Sequence, residues 1–170
     1  MSKRILINVD FFSDTHRLSC RVEIGATGLL GLLNDVNLSV VEARDMYISR
    51  LSQPAKIIAN FETATLNKTG LMLAILARRE DVGPTTVGYT RLIPYPVLVT
   101  MPAFEIRCQV EFPGKLDAGA VLAGGSGKYI PLYFATAVAT QYPEKPYAGE
   151  AMLVNRTLVE AMASIPKGKA

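Results

Sequence analysis

The sequence predicts a mainly β chain in which one small β domain occurs twice. Three observations predict it. A short alternating stretch recurs: Arg17-Leu18-Ser19-Cys20-Arg21-Val22-Glu23-Ile24 and Glu105-Ile106-Arg107-Cys108-Gln109-Val110-Glu111-Phe112, with Cys, Val and Glu in register. The two copies stand 88 residues apart, and the same offset aligns Leu66-Asn67-Lys68-Thr69 with Val154-Asn155-Arg156-Thr157 and Val9 with Val97. A stretch punctuated by Gly83-Pro84 and Gly88 separates the two sets. Alternation of apolar with polar residues marks a half-buried strand. Leu18, Cys20, Val22 and Ile24 are expected to face one way, as are Ile106, Cys108, Val110 and Phe112.

Each element follows in order. Lys3 to Phe12 is rich in β-branched and aromatic residues and predicts a first strand. Ser13-Asp14-Thr15 is a polar turn, and the Cys20 strand closes at Gly25. Gly28 to Asp35 is short and apolar and predicts one or two helical turns, weakened by two glycines. Leu38 to Ile48 is a strand, Ser49 to Pro54 a turn, and Ala55 to Leu66 is again extended. Thr69 to Leu76 is almost wholly apolar, and periodicity leaves strand and short helix open there. Residues 78–90 read as the connection. In the second half, Leu92 to Thr100 starts with Pro94 and Pro96, which confine ladder pairing to an edge or a strand start. Met101-Pro102-Ala103 is the hairpin break before the Cys108 strand, and Leu116 to Ala123 takes the place of the Leu-rich turn. Gly124-Gly125-Ser126-Gly127 is a loop, Tyr129 to Thr140 a strand, Pro143 to Pro146 a turn, and Glu150 to Ile165 closes the unit. Thr157 to Ile165 has helix-forming composition, which leaves its final strand open. The division is 1–80 for the first unit, 81–91 for the linker, 92–166 for the second unit and 167–170 for a tail.

Composition narrows the function. The chain has 170 residues, 49% of them apolar, enough for a core. No apolar run reaches the roughly 18 residues of a membrane span, and Asn8 and Asp10 interrupt the start, so the cytoplasm is the expected compartment and membrane insertion is not expected. The net charge of +3 is spread along the chain rather than concentrated as in a nucleic-acid footprint. Arg78-Arg79 and Lys167/Lys169 are the local clusters, each read as solvating a segment end. Cys20 and Cys108 are in phase with the apolar strand faces and read as buried thiols rather than a disulfide framework.

Catalytic constellations are not found. His16 is the only histidine, so no histidine cluster can ligate a metal; it sits in a turn beside Asp14. A Cys20–His16 nucleophile pair would need an exposed thiol, and the strand phase turns Cys20 inward. Gly124 to Tyr129 suggests a phosphate loop but has Leu122 where glycine is needed and Tyr129 where Ser or Thr would hold magnesium. Glu23 and Glu111 lie on polar strand faces with no sign of a paired carboxylate. The expectation is no metal, no cofactor and no enzyme.

The order strand, turn, strand, Leu-rich turn, strand, strand, apolar-Asn-basic-Thr and final apolar strand resembles small bacterial Sm-like or SH3-like β-barrel domains, including an uncharacterised bacterial family. In that pattern a Leu-Asn pair follows the second strand, as Leu33-Asn34 does, and an Asn-basic pair precedes the last strand, as Asn67-Lys68 and Asn155-Arg156 do; Leu122-Ala123 departs from it. The resemblance implies two tandem small β-barrels that form rings by pairing edge strands. It also carries a candidate ligand or RNA site onto Asn67, Lys68, Asn155 and Arg156, which as residues alone read as strand-starting turns. Leu71 to Leu76 is apolar on both faces, so Leu71, Leu73, Ile75 and Leu158 are the candidate interface. The leading expectation is a non-enzymatic assembly or protein-interaction module, homo-oligomeric or part of a larger assembly. The alternatives are an Sm-like RNA-binding protein, and a small-ligand binder or enzyme in a cleft between the units.

Overall fold

A computed structural model describes residues 3–85, 90–125, 127–166 and 168. Residues 86–89 of the expected linker, Ser126 of the glycine-rich loop and the Lys167/Lys169 pair lie outside the described residues. The β-branched start forms β1 (Ile5–Phe12), and the alternating Cys20 stretch forms β2 (His16–Ile24). The hairpin turn between them is held by Ser13 Oγ, which accepts from the Thr15 and His16 amides at 3.3 and 3.0 Å. The chain continues through α1 (Gly28–Asn34), β3 (Val40–Arg50), β4 (Gln53–Asn67), a 3-10 turn at Lys68–Gly70 and β5 (Leu73–Leu76). After a second 3-10 turn at Arg79–Val82 come β6 (Ile93–Met101), β7 (Phe104–Phe112), α2 (Ala118–Ala123), β8 (Tyr129–Ala139), β9 (Tyr142–Asn155), a 3-10 turn at Arg156–Leu158 and β10 (Ala161–Ser164).

All ten strands belong to one antiparallel sheet, ordered β10-β6-β7-β8-β9-β5-β1-β2-β3-β4. Two tandem small β-barrel units were expected, with separate barrels and a shared sheet both left open; the strands form one sheet that is not closed. The cause is β5, whose four residues are apolar on both faces. It pairs with β1 on one side and with β9 on the other, in the register Leu73↔Val154, Ala74↔Leu153, Ile75↔Met152 and Leu76↔Ala151. Because strand side chains alternate between faces, this ladder feeds two cores at once. Ala74, Leu76, Ala151 and Leu153 join a core built on β1–β4 and α1. Leu73, Ile75, Met152 and Val154 join a second core built on β6–β9.

Cys20, Val22 and Ile24 are buried in the first core, and Ile106, Cys108 and Val110 in the second, while Phe112 is half-buried. In each half the ladder slips by one residue opposite the cysteine. The bulged strand there holds a residue at positive φ, Asp45 at 49° and Phe134 at 46°.

Three local expectations are corrected or refined. The second long hairpin turns at Thr140-Gln141, not at Pro143 to Pro146, which lie within β9. The prolines are tolerated because that half of β9 pairs with β8 alone. Thr157 to Ile165 forms a 3-10 turn and a strand rather than a helix: Met162 packs on the second core, and Glu160 and Ile165 donate amides to Thr100 and Pro96 carbonyls at 2.8 and 3.0 Å. The expected linker begins buried, since Asp81 and Val82 pack against α1. This packing needs two glycines back to back. Gly28 and Gly83 both have positive φ, and a Cβ on either would stand 2.3 or 2.2 Å from the carbonyl oxygen of Val82 or Thr27.

The shared ladder predicts that damage in one half spreads to the other. Leu73→Ala, on a strand of the first half, is expected to cost about 2–5 kcal/mol and to speed hydrogen exchange in β6–β9 as well as in β1–β5. Burial pushes both thiols up to about 12, with Asp10 adding to the effect at Cys20. Between the ordinary thiol value near 9 and about 12, unfolded thiols have released protons that folded ones still hold. Their stabilisation is therefore complete below pH ~9 and is lost as pH rises towards 12. Chemical denaturation across that window is expected to show falling stability, with a shallower fall in Cys20→Ala/Cys108→Ala.

Candidate functional site

The two Asn-basic turns are built alike. Asn67 Oδ1 accepts from the Thr69 amide at 3.1 Å and from Thr69 Oγ1 at 2.8 Å. Asn155 Oδ1 accepts from the Thr157 amide at 3.1 Å and from Thr157 Oγ1 at 2.6 Å. Each asparagine thereby caps a 3-10 turn, as short polar side chains do.

The basic partners reach back to helix ends. Lys68 is only 8% exposed, and its Nζ donates to the carbonyl of Asp35, the residue after α1, at 2.9 Å. Burial pushes the Lys68 ammonium below its ordinary value, partly offset by the Asp35 carboxylate. Arg156 donates to the carbonyl of Gly124, the residue after α2, and to that of Gly125 at 2.7 Å. Cations belong at helix C-termini, where carbonyls have no intrahelical partner. The four residues therefore form two separate constellations, each making hydrogen bonds within the chain.

A cleft of about 270 Å³ lies between the halves, lined by Asn34, Asp35, Leu38, Lys68, Tyr129 and Asn155 among others. Two residues that sequence reasoning did not single out as a pair close its floor. Asn34 donates from Nδ2 to the Tyr129 carbonyl at 3.0 Å and accepts from the Tyr129 amide at 2.8 Å. The Tyr129 hydroxyl lies 2.8 Å from the Lys68 carbonyl and 2.9 Å from that of Leu71, and burial pushes it up to about 12. The Leu33-Asn34 pair carried a signal for this contact, but its partner lies 95 residues away.

A concavity of about 580 Å³ is lined mostly by residues of β1–β3, the Asp10–Arg17 and Arg21–Asp45 ion pairs among them. His16 Nδ1 lies 2.8 Å from Thr15 Oγ1 in its turn. Arg79 bonds Glu111 at 2.6 Å and stacks 3.9 Å over the Tyr133 ring, and Arg78 pairs with Glu80 and Asp81. Among the described residues no three His, Cys, Asp or Glu side chains gather into a metal-binding group, and no helix is long and apolar enough to cross a membrane.

Leu71, Leu73 and Ile75 are buried, and Leu158 is partly covered by the second core. They serve contacts within the chain, because β5 has a partner on each side. Among the described residues, the strands with one neighbour are β4 and β10. They differ sharply. β10 has four residues, three of them exposed and small: Ala161, Ala163 and Ser164. β4 has fifteen residues and exposes Ile57, Ile58 and Phe61 by 57%, 40% and 54%. Comparison with protein-family models, curated proteins and solved structures finds no match to this chain.

The Asn34 clamp is testable. Asn34→Ala strips both backbone groups of Tyr129 of their partner and is expected to cost about 1–3 kcal/mol in denaturant unfolding. Asn34→Asp keeps the acceptor for the Tyr129 amide but turns a carboxylate oxygen towards the Tyr129 carbonyl, and is expected to cost at least as much.

Proposed function

We propose that the chain is a non-enzymatic, cytoplasmic assembly module that pairs through its free β4 edge. The observation that carries this reading is the character of that edge. It is long, it has one ladder neighbour, and it carries an exposed apolar cluster, Ile57, Ile58 and Phe61. Free edges are blunted with charge, proline, bulges or a cover; Pro54, Lys56, Glu62 and the slip at Ile58 flank or interrupt this cluster without covering it. Exposed apolar clusters of this kind mark interaction sites.

The internal architecture supports the same reading. Element order is identical in the two halves, as are the cysteine-facing bulges, the asparagine caps and the basic residue at each helix end. We therefore read the chain as two copies of one small barrel-like unit. On that reading β9 and β5 are the fourth strand of one unit and the fifth of the other, so edge pairing between units already occurs once inside the chain. The RNA-binding alternative has less support, since Lys68 is buried and Arg156 is bonded to the loop after α2. The cleft reading has no reactive group behind it.

Light-scattering mass on a sizing column tests the proposal, with absorbance at 260 and 280 nm on protein purified without nuclease. The expected result is a discrete mass above the 18.4 kDa of one chain with a protein-like ratio, falling to one chain in Phe61→Asp. A single-chain mass at ~100 µM would overturn it. A raised ratio that disappears in high salt would promote the RNA alternative.

A further inference from the structure

We infer that the partner of the β4 edge is the β4 edge of a second copy, in an antiparallel, two-fold pairing centred on Ala59. This inference rests on the assembly reading above and names its partner and register.

Phe61 stands against the obvious alternative, a head-to-tail chain in which β10 of one copy takes β4 of the next as β5 takes β9. In the internal junction β5 passes over Gly149, which pairs with Ala135, the residue after the positive-φ Phe134. A Cβ on Gly149 would stand 2.5 Å from the Leu76 carbonyl oxygen and 2.7 Å from Ile75 Cγ2. Bare backbone is what lets a neighbouring strand lie there. The matching place on β4, opposite Met46 after the positive-φ Asp45, holds Phe61. A strand following the path of β5 would meet a phenylalanine Cβ at its backbone. β10 also has little to offer, since Ala161 and Ala163 stand where β5 brings Leu73 and Ile75.

The β4 edge is also complementary to itself. Residues 56–62 read Lys-Ile-Ile-Ala-Asn-Phe-Glu. In an antiparallel pair centred on Ala59, Lys56 of each copy lies opposite Glu62 of the other, and Ile57 lies opposite Phe61. The axis then passes the smallest side chain of the segment. Lys56 and Glu62 are exposed, and neither makes an ion pair among the described residues. Ile58 has no partner on β3, where the ladder slips. A two-fold pairing uses one patch twice and closes, so it covers the apolar edge of both copies and ends the assembly at two. The β10 edges remain outside, short and small enough to stay free.

Charge reversal tests the register without touching the core. Lys56→Glu places glutamate against Glu62 of the other copy twice over, and Glu62→Lys places lysine against Lys56. Wild type is expected at about twice 18.4 kDa, with each single variant dimerising roughly tenfold more weakly. An equimolar mixture of the two variants restores the dimer, because every facing pair is again opposite in sign, and Lys56→Glu/Glu62→Lys dimerises with itself. Circular dichroism melts confirm that the variants fold. A dimer indifferent to these reversals, or a larger assembly abolished by Ala163→Arg, overturns the β4–β4 pairing and leaves edge assembly standing. A wild-type chain that remains single at ~100 µM overturns both.

Discussion

The structure depends on four residue pairs between β5 and β9. Each strand there is apolar on both faces, and each face belongs to a different core. A strand of this kind cannot end a sheet in water, because at roughly 25 cal/mol per Å² its outward side chains would be costly to leave exposed. Pairing across the halves removes the problem for both strands together. It also fixes the other features: one open sheet rather than two closed ones, two cores rather than one, and two unlike strands left at the ends.

Around that ladder the polar residues do structural work at places where backbone groups would otherwise lack partners. The asparagine caps satisfy amides at the start of a 3-10 turn. Lys68 and Arg156 satisfy carbonyls at helix ends. Asn34 holds both backbone groups of Tyr129, and the Tyr129 hydroxyl turns back to the chain that carries Lys68. The polar side chains most suggestive of ligand contact are thus engaged by backbone groups of their own half, while Ile57, Ile58 and Phe61 stay exposed on β4.

Much of this was legible in the sequence, and the reasons it was or was not are physical. Strand alternation is local, so the inward phase of Cys20 and Cys108 could be read directly. The turn character of Asn67 and Asn155 was likewise local, since an asparagine bonds to the amide two residues on. The role of Leu71, Leu73 and Ile75 was legible only halfway. Their two-faced apolarity announced a segment needing cover on both sides, with strand and short helix both open, and the covering strand is β9, some 80 residues away in the ladder. The prolines at 143 and 146 misled because a proline marks a missing partner as readily as a turn. Asn34 and Tyr129 could not be paired by any local rule. The importance of Phe61 became visible only beside Gly149, where one backbone passes close to another.

The same ladder bears on how the chain is made. A ribosome releases β1–β5 long before β9, so the first half emerges with its central strand complete in sequence but bare along one side. Leu153 and Tyr129, which finish the first core, arrive after most of the second half has been synthesised. The nascent first half must therefore wait with apolar surface uncovered, and long-range closures of this kind are slow. For this fold, the first core is completed only once β9 has been synthesised.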